Sequence, residues 1–334
     1  MNNKSIKFLN KGTFGCVYHP NIPCDKKHTG SKYVSKIQLN TSILENEINI
    51  GNVIKNEKNY DLYFSPIVNS CPINVAKVNK DEIKKCDLLK YKIKNYSSNT
   101  IRYVGKEDLH DYLYSNIDKF VPVYEHLLEA LCILEKMKVV HYDIKINNVL
   151  LDDRYKVPVI IDFGISFEYS HIEKLNLKDI FYSYSSDYEA WCIDICVQSY
   201  IQNSLIEHSL KINKNDIEML LDKYVNENPL FNYLSEKDME TWKKNNTEYF
   251  SKFIGKSWNI LSKELLNYLD TWDNYSMTVI FLHFLLRKKP LETKYINYFK
   301  KILTYSPDKR PTAIETKKYI QSFKIKPKVI RKIK

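Results

Sequence analysis

The segment His141-Tyr142-Asp143-Ile144-Lys145-Ile146-Asn147-Asn148 sets a carboxylate, an ammonium and a carboxamide within one short stretch. Asp143 can accept the proton of a hydroxyl and orient its oxygen for in-line attack. Lys145, two residues on, can stabilise charge on a phosphoryl group in transfer. Asn148 offers a carbonyl oxygen to Mg2+, and fourteen residues later Ile160-Ile161 runs into Asp162-Phe163-Gly164. A buried strand ending in Asp presents a carboxylate suited to bridging Mg2+ and phosphates. Phosphoryl transfer to a hydroxyl is the chemistry these residue types could do.

Two earlier segments fit that chemistry. Gly12-Thr13-Phe14-Gly15-Cys16-Val17 puts glycines in a strand–turn–strand, where backbone N–H groups can approach phosphate oxygens unobstructed. Lys36, in Tyr33-Val34-Ser35-Lys36, could neutralise phosphates from the next strand. Such a lysine needs a carboxylate to fix it, and Glu47 follows eleven residues later. Glu45 competes for that role, but Ser42-Ile43-Leu44-Glu45 has capping-box spacing and accounts for it.

These residues need a scaffold of two characters. Ile6–Asn10, Cys16–His19, Tyr33–Gln38 and Thr100–Val104 read as strands, and a capped helix runs from Ser42 to about Ile54. Later, Leu127, Leu128, Leu131, Leu134 and Met137 recur at helical spacing just before His141, and residues 216–225, 258–269 and 275–287 are helical in period. The expected class is α+β: a small β-rich lobe with one main helix over 1–105, then a larger, mostly helical lobe over 106–323.

The chain has 334 residues, a hydrophobic fraction of 44% and a formal charge of +11. No run approaches the roughly 18–20 apolar residues a membrane span requires, and Met1–Lys7 lacks a signal-peptide core. A cytoplasmic protein with no membrane partner is the expectation. The seven cysteines form no CxxC pair, which predicts free thiols. Only five basic residues are Arg, and the abundance of Lys, Asn, Ile and Tyr reflects AT-rich coding, so a nucleic-acid partner is not expected. The one dense basic cluster is the tail at 324–334.

In order along the chain, the glycine loop, Lys36, Glu47, H-x-D-I-K-x-x-N, D-F-G, Trp272-Asp273-Asn274-Tyr275-Ser276 and Pro307-Asp308-Lys309-Arg310-Pro311-Thr312 resemble the motifs of the eukaryotic-type protein kinase family. The match covers most of the chain. It implies the bilobal kinase fold, ATP and Mg2+ as cofactors, and transfer to Ser/Thr hydroxyls of protein substrates, the class suggested by Lys145. Asp143 would be the base, Lys145, Lys36 and Glu47 would assist, and Asn148 and Asp162 would hold the metal. Gly12 and Gly15 would cradle phosphates. Leu9, Val17 and Val34 would cover the adenine, Leu150 would lie beneath it, and Ile101 behind it. Tyr103–Val104 would meet its edge, and Asp108 (or Glu107) the ribose.

Several positions depart from that pattern. Asn10 replaces the usual first glycine, and Tyr142 replaces an arginine that reads a phosphorylated activation loop. Ser183, Tyr184, Ser185 and Ser186 remain possible modification sites. The A-P-E triplet is absent, leaving Asp194 as the expected partner of Arg310, while Asp273 would shape the backbone near His141. From Asp162 to Asp273 is 111 residues, which implies a helical insert at about 196–268. Insert length, the Tyr-rich approach to Trp191 and the W-D-x-Y-S form resemble kinases of large DNA viruses, which would place the protein in host cytoplasm or virion. Alternative readings are a catalytically weak pseudokinase scaffold and a choline- or aminoglycoside-type phosphotransferase.

Overall fold

The structure, a computed structural model, describes residues 6–89, 93, 95–287 and 293–324, so the basic tail beyond Lys324 lies outside the described residues. The chain is α+β. In chain order its strands are β1 (Lys7–Lys11), β2 (Gly15–His19), β3 (Tyr33–Leu39), β4 (Phe64–Ser65), β5 (Ile67–Ile73), β6 (Tyr96–Arg102), β7 (Val139–Val140), β8 (Val149–Leu151), β9 (Pro158–Ile161) and β10 (Phe167–Glu168). The helices are α1 (Ser42–Lys55), α2 (Lys80–Ile83), α3 (Leu109–Ser115), α4 (Phe120–Lys136), α5 (Leu177–Ile180), α6 (Ile193–Asn203), α7 (Lys214–Glu227), α8 (Glu236–Ser251), α9 (Trp258–Leu265), α10 (Trp272–Arg287), α11 (Thr293–Thr304) and α12 (Ala313–Gln321). Among the described residues no helix is long and apolar enough to cross a membrane.

Two compact units emerge: Met1–Leu127 with His141–Ile172, and Leu128–Val140 with Glu173–Lys334. The first unit therefore takes in the His141 segment and the D-F-G strand as well as the N-terminal strands.

Within the first unit, an antiparallel sheet runs in the order β1-β2-β3-β6-β5. Strand β3 is central and buried along most of its length, pairing Val17 with Lys36 on one side and Val34 with Ile101 on the other. Gly15 is required by this packing: a Cβ there would lie 2.5 Å from the Ile37 carbonyl oxygen. Helix α1 buries Leu44, Glu47, Ile50, Gly51 and Ile54, a stripe of helical spacing that happens to carry a carboxylate. A second, three-stranded sheet in the order β4-β9-β8 pairs Phe64 with Ile160 in parallel and Val149 with Ile160 antiparallel. It carries the ends of the strand and loop that hold Asp162 and Asn148.

Several expectations need correction here. Helix α1 begins at Ser42, but Thr41 is its N-cap and no side-chain cap hydrogen bond forms, so the Ser42/Glu45 capping box is not made. Strand β6 starts at Tyr96 and stops at Arg102, earlier than the apolar pattern at 100–104 suggests, because Ser97, Ser98, Asn99 and Thr100 are buried in the sheet despite being polar. The free-thiol expectation is overturned in this unit. Cys16 is bonded to Cys86 and Cys24 to Cys71. Separations of 70 and 47 residues carry no local sequence signal, and only the folded sheet brings the partners together.

In the second unit the remaining thiols, Cys132, Cys192 and Cys196, are free and buried. The stretch at 196–268 is ordered and helical: α7 and α8 both open with complete capping boxes, Asn213/Asp216 and Ser235/Asp238. It is built into the unit's core. Tyr224 stacks on Trp242 at 5.4 Å, and its hydroxyl donates to the Trp191 carbonyl at 2.8 Å. As expected, Arg310 pairs with Asp194, at 2.5 Å.

Candidate active site

Lys36 and Glu47 meet inside the first unit. Strand β3 and helix α1 each contribute one charged side chain to their common interface, where Lys36 is 5% and Glu47 2% exposed. Lys36 Nζ donates to both carboxylate oxygens, at 3.0 Å and 3.1 Å, and to Asp162 Oδ1 at 2.8 Å. Burial alone would strip the proton from this ammonium, but the attraction of Glu47 and Asp162 outweighs it and raises the lysine above its ordinary value. The residue is thus a fixed cation. For Asp162, burial pushes the carboxyl up, and the charge and hydrogen bond of Lys36 more than reverse that, so it lies below its ordinary range.

The backbone at Asp162 is left-handed, with φ 65°, and so is Tyr142, with φ 69°. Non-glycine residues rarely adopt this region, and it is tolerated where surrounding structure over-determines it. Here the determinants are visible. Phe163 sets its ring edge-on to His141 at 4.9 Å and to Phe64 at 6.1 Å, while the Tyr142 ring packs edge-on to Phe167 at 5.6 Å.

His141 is wholly buried and acts as a brace. Its Nε2 lies 3.1 Å from the Ile161 carbonyl and its Nδ1 accepts from the Asp143 N–H at 3.3 Å, partners that require the neutral ring protonated on Nε2. Its own carbonyl accepts from Ser166 Oγ at 3.0 Å. The loop is thereby tied to the strand ending at Asp162.

Asn148 donates through Nδ2 to both the backbone carbonyl and the Oδ2 of Asp143, each at 2.9 Å. Lys145 Nζ reaches the same Oδ2 at 2.8 Å. The Asp143 carboxylate is therefore held by a cation and an amide and is partly open to solvent, as a proton acceptor for an external hydroxyl must be. With its nitrogen engaged, Asn148 has its carbonyl oxygen as the end that could face a metal. That oxygen and the Asp162 carboxylate are hard donors that suit Mg2+ rather than a soft metal.

The glycine turn closes on itself, Gly12 N–H donating to the Gly15 carbonyl at 2.8 Å. Phe14, at its tip, comes within 3.5 Å of where a Cβ on Gly164 would lie. Of the residues expected around the adenine, Val34 and Val104 are buried, whereas Leu9, Val17, Ile101 and Leu150 are half-buried. At the Tyr103–Val104 edge, the Tyr103 N–H is donated to Lys32 and the Val104 carbonyl accepts from Asp153. A base would have to use the Tyr103 carbonyl and the Val104 N–H. Asp108 also caps α3, its Oδ1 accepting the Asp111 N–H at 2.9 Å. With His110 and Asp111, Asp108 forms the only group of three or more His/Cys/Asp/Glu side chains of metal-binding proximity among the described residues, and it includes neither Asn148 nor Asp162.

Sequence reasoning missed two polar contacts on α1. Gln38 Nε2 donates to Glu47 Oε2 at 3.1 Å, and Asn46 Nδ2 donates to the Ser166 carbonyl at 2.6 Å. Gln38 had a weak signal, being a polar residue two positions from Lys36 and so on the same strand face. A scan of protein-family models finds no match to the chain, and a search of curated proteins finds none either.

Proposed function

We propose that the chain is a protein kinase of the bilobal fold that moves the γ-phosphate of ATP onto Ser/Thr hydroxyls of protein substrates. The observation that carries this reading is the buried Lys36, bonded at once to Glu47 and Asp162, beside an Asp143 carboxylate held by Lys145 and Asn148. A fixed cation supports the phosphates, an oriented carboxylate takes the hydroxyl proton, and Lys145 stands by to meet charge on the group in transfer. Asn148 and Asp162 would hold Mg2+, which supplies charge neutralisation on the phosphates when bound.

A protein acceptor is favoured over a small one by Lys145, by Phe163-Gly164 and by the Pro307–Arg310 element. Lys36, Glu47, Asp143, Lys145, Asn148 and Asp162 are all present in the chain, which argues against a silent scaffold. The experiment is ATP turnover and phosphate transfer to casein by the wild type and by Asp143→Asn. Loss of a general base lowers the rate by roughly 10²–10⁴-fold. Equal turnover by the two proteins would sink the assignment.

A further inference from the structure

We infer that Gln38 is a positioning residue that holds Glu47 in register with Lys36. The two donors leave the same face of β3, two residues apart, and close on one carboxylate: Lys36 Nζ at 3.0 Å and 3.1 Å, Gln38 Nε2 at 3.1 Å. Lys36 is shared, and its contact to Asp162 is the shorter one at 2.8 Å. Gln38 has no such divided loyalty. While the ammonium is drawn toward Asp162, the amide keeps the Glu47 carboxylate turned to the strand.

The other end of the same side chain argues that this contact is the reason for a glutamine. Gln38 is 2% exposed, and its Oε1 meets no donor among the described residues. A buried carbonyl oxygen without a partner weakens the fold, and an unbranched apolar side chain of similar length would avoid that cost. What the position gains is one charge-assisted hydrogen bond to Glu47. One residue earlier on the same helical turn, Asn46 fastens α1 to the Ser166 carbonyl, so α1 has a second polar tie beside Glu47. The geometric part of this inference stands alone; its catalytic consequence rests on the phosphotransfer reading.

Gln38→Met and Gln38→Glu test it. Gln38→Met removes the amide at nearly constant volume, so its melting temperature should equal or exceed that of the wild type. Lys36, less firmly paired, should then react faster with an amine-acylating ester, as measured by peptide mass spectrometry. The KM for ATP should rise about tenfold with kcat held within about twofold, because Lys36 contacts phosphates in ground and transition states alike. Gln38→Glu sets a second carboxylate against Glu47 and should raise the KM for ATP further, while the added negative charge beside Lys36 slows its acylation. Unchanged Lys36 labelling with unchanged KM overturns the inference. So does a lower melting temperature with activity lost only in proportion to unfolding. If the wild type turns over no ATP, the phosphotransfer reading fails, and Lys36 labelling alone decides the role of Gln38.

Discussion

Arg310 Nη2 donates to Asp194 Oδ2 at 2.5 Å where the two side chains are 1% and 0% exposed, and the indole of Trp272 donates to the same oxygen at 2.6 Å. Burial opposes the charge on Arg310, yet Asp194 holds it above its ordinary value. Removing the guanidinium would strand a buried carboxylate. We expect Arg310→Ala to cost roughly 3–5 kcal/mol of stability, read as a lower denaturation midpoint of the second unit. An unchanged melting temperature would show that Asp194 finds its balance elsewhere.

The depressed Asp162 carboxyl makes stability depend on acid in a definite direction. Its native value lies below the ordinary 3.8, so the charged form is favoured by folding. The contribution is fully present above that ordinary value and is lost as pH falls through the lower native one. Urea unfolding from about pH 5 downward should therefore show the gap between wild type and Asp162→Asn closing as acid is added. A gap that stays constant would mean that Lys36 does not favour the ionised form.

The two bridges of the first unit should be detectable in the oxidised protein as a mass lower by two hydrogens per bridge. Cross-links spanning 70 and 47 residues each restrict the unfolded chain by about 4 kcal/mol on chain-entropy reasoning. Reduction with dithiothreitol should lower the melting temperature of that unit, and Cys24→Ser/Cys71→Ser should lose only one of the two contributions. Peptides with all four cysteines alkylated without prior reduction would refute the pairing.

Tyr142 bears on control. A phenol cannot make the charge-assisted bonds by which an arginine reads a phosphorylated loop. The Tyr142 side chain is buried against Phe167. Of the candidate modification sites, Ser186 is buried and donates to Glu227, and Ser185 donates to Asp187. Phosphatase treatment should leave the proposed activity intact, and its abolition would show that another cation reads a phosphate.

Much of the site was legible because its chemistry is local. Asp143, Lys145 and Asn148 lie within six residues, and the Lys36–Glu47 spacing reflects one strand and the next helix. The Asp194–Arg310 pair was reached only through resemblance, since 116 residues separate them. Contacts set by tertiary packing alone went unread. Ser42 and Glu45 had the right spacing for a box, but Thr41 took the cap position. Polar Ser97, Ser98 and Asn99 looked unlike a strand interior, yet the sheet buries them. Four cysteines without a motif became two bridges, because pairing follows sheet geometry rather than spacing.

That distribution of sulfur gives each unit its own chemical reporter. The three free thiols all belong to the second unit, and burial pushes Cys132 up to about 12 and Cys192 and Cys196 well above their ordinary values. Thiolate, the reactive form, is scarce there until the unit opens. Alkylation without reductant would thus time the opening of the second unit, while reductant-dependent alkylation would time exposure of the first. One untagged protein thus carries two chemically distinct sets of sulfur reporters.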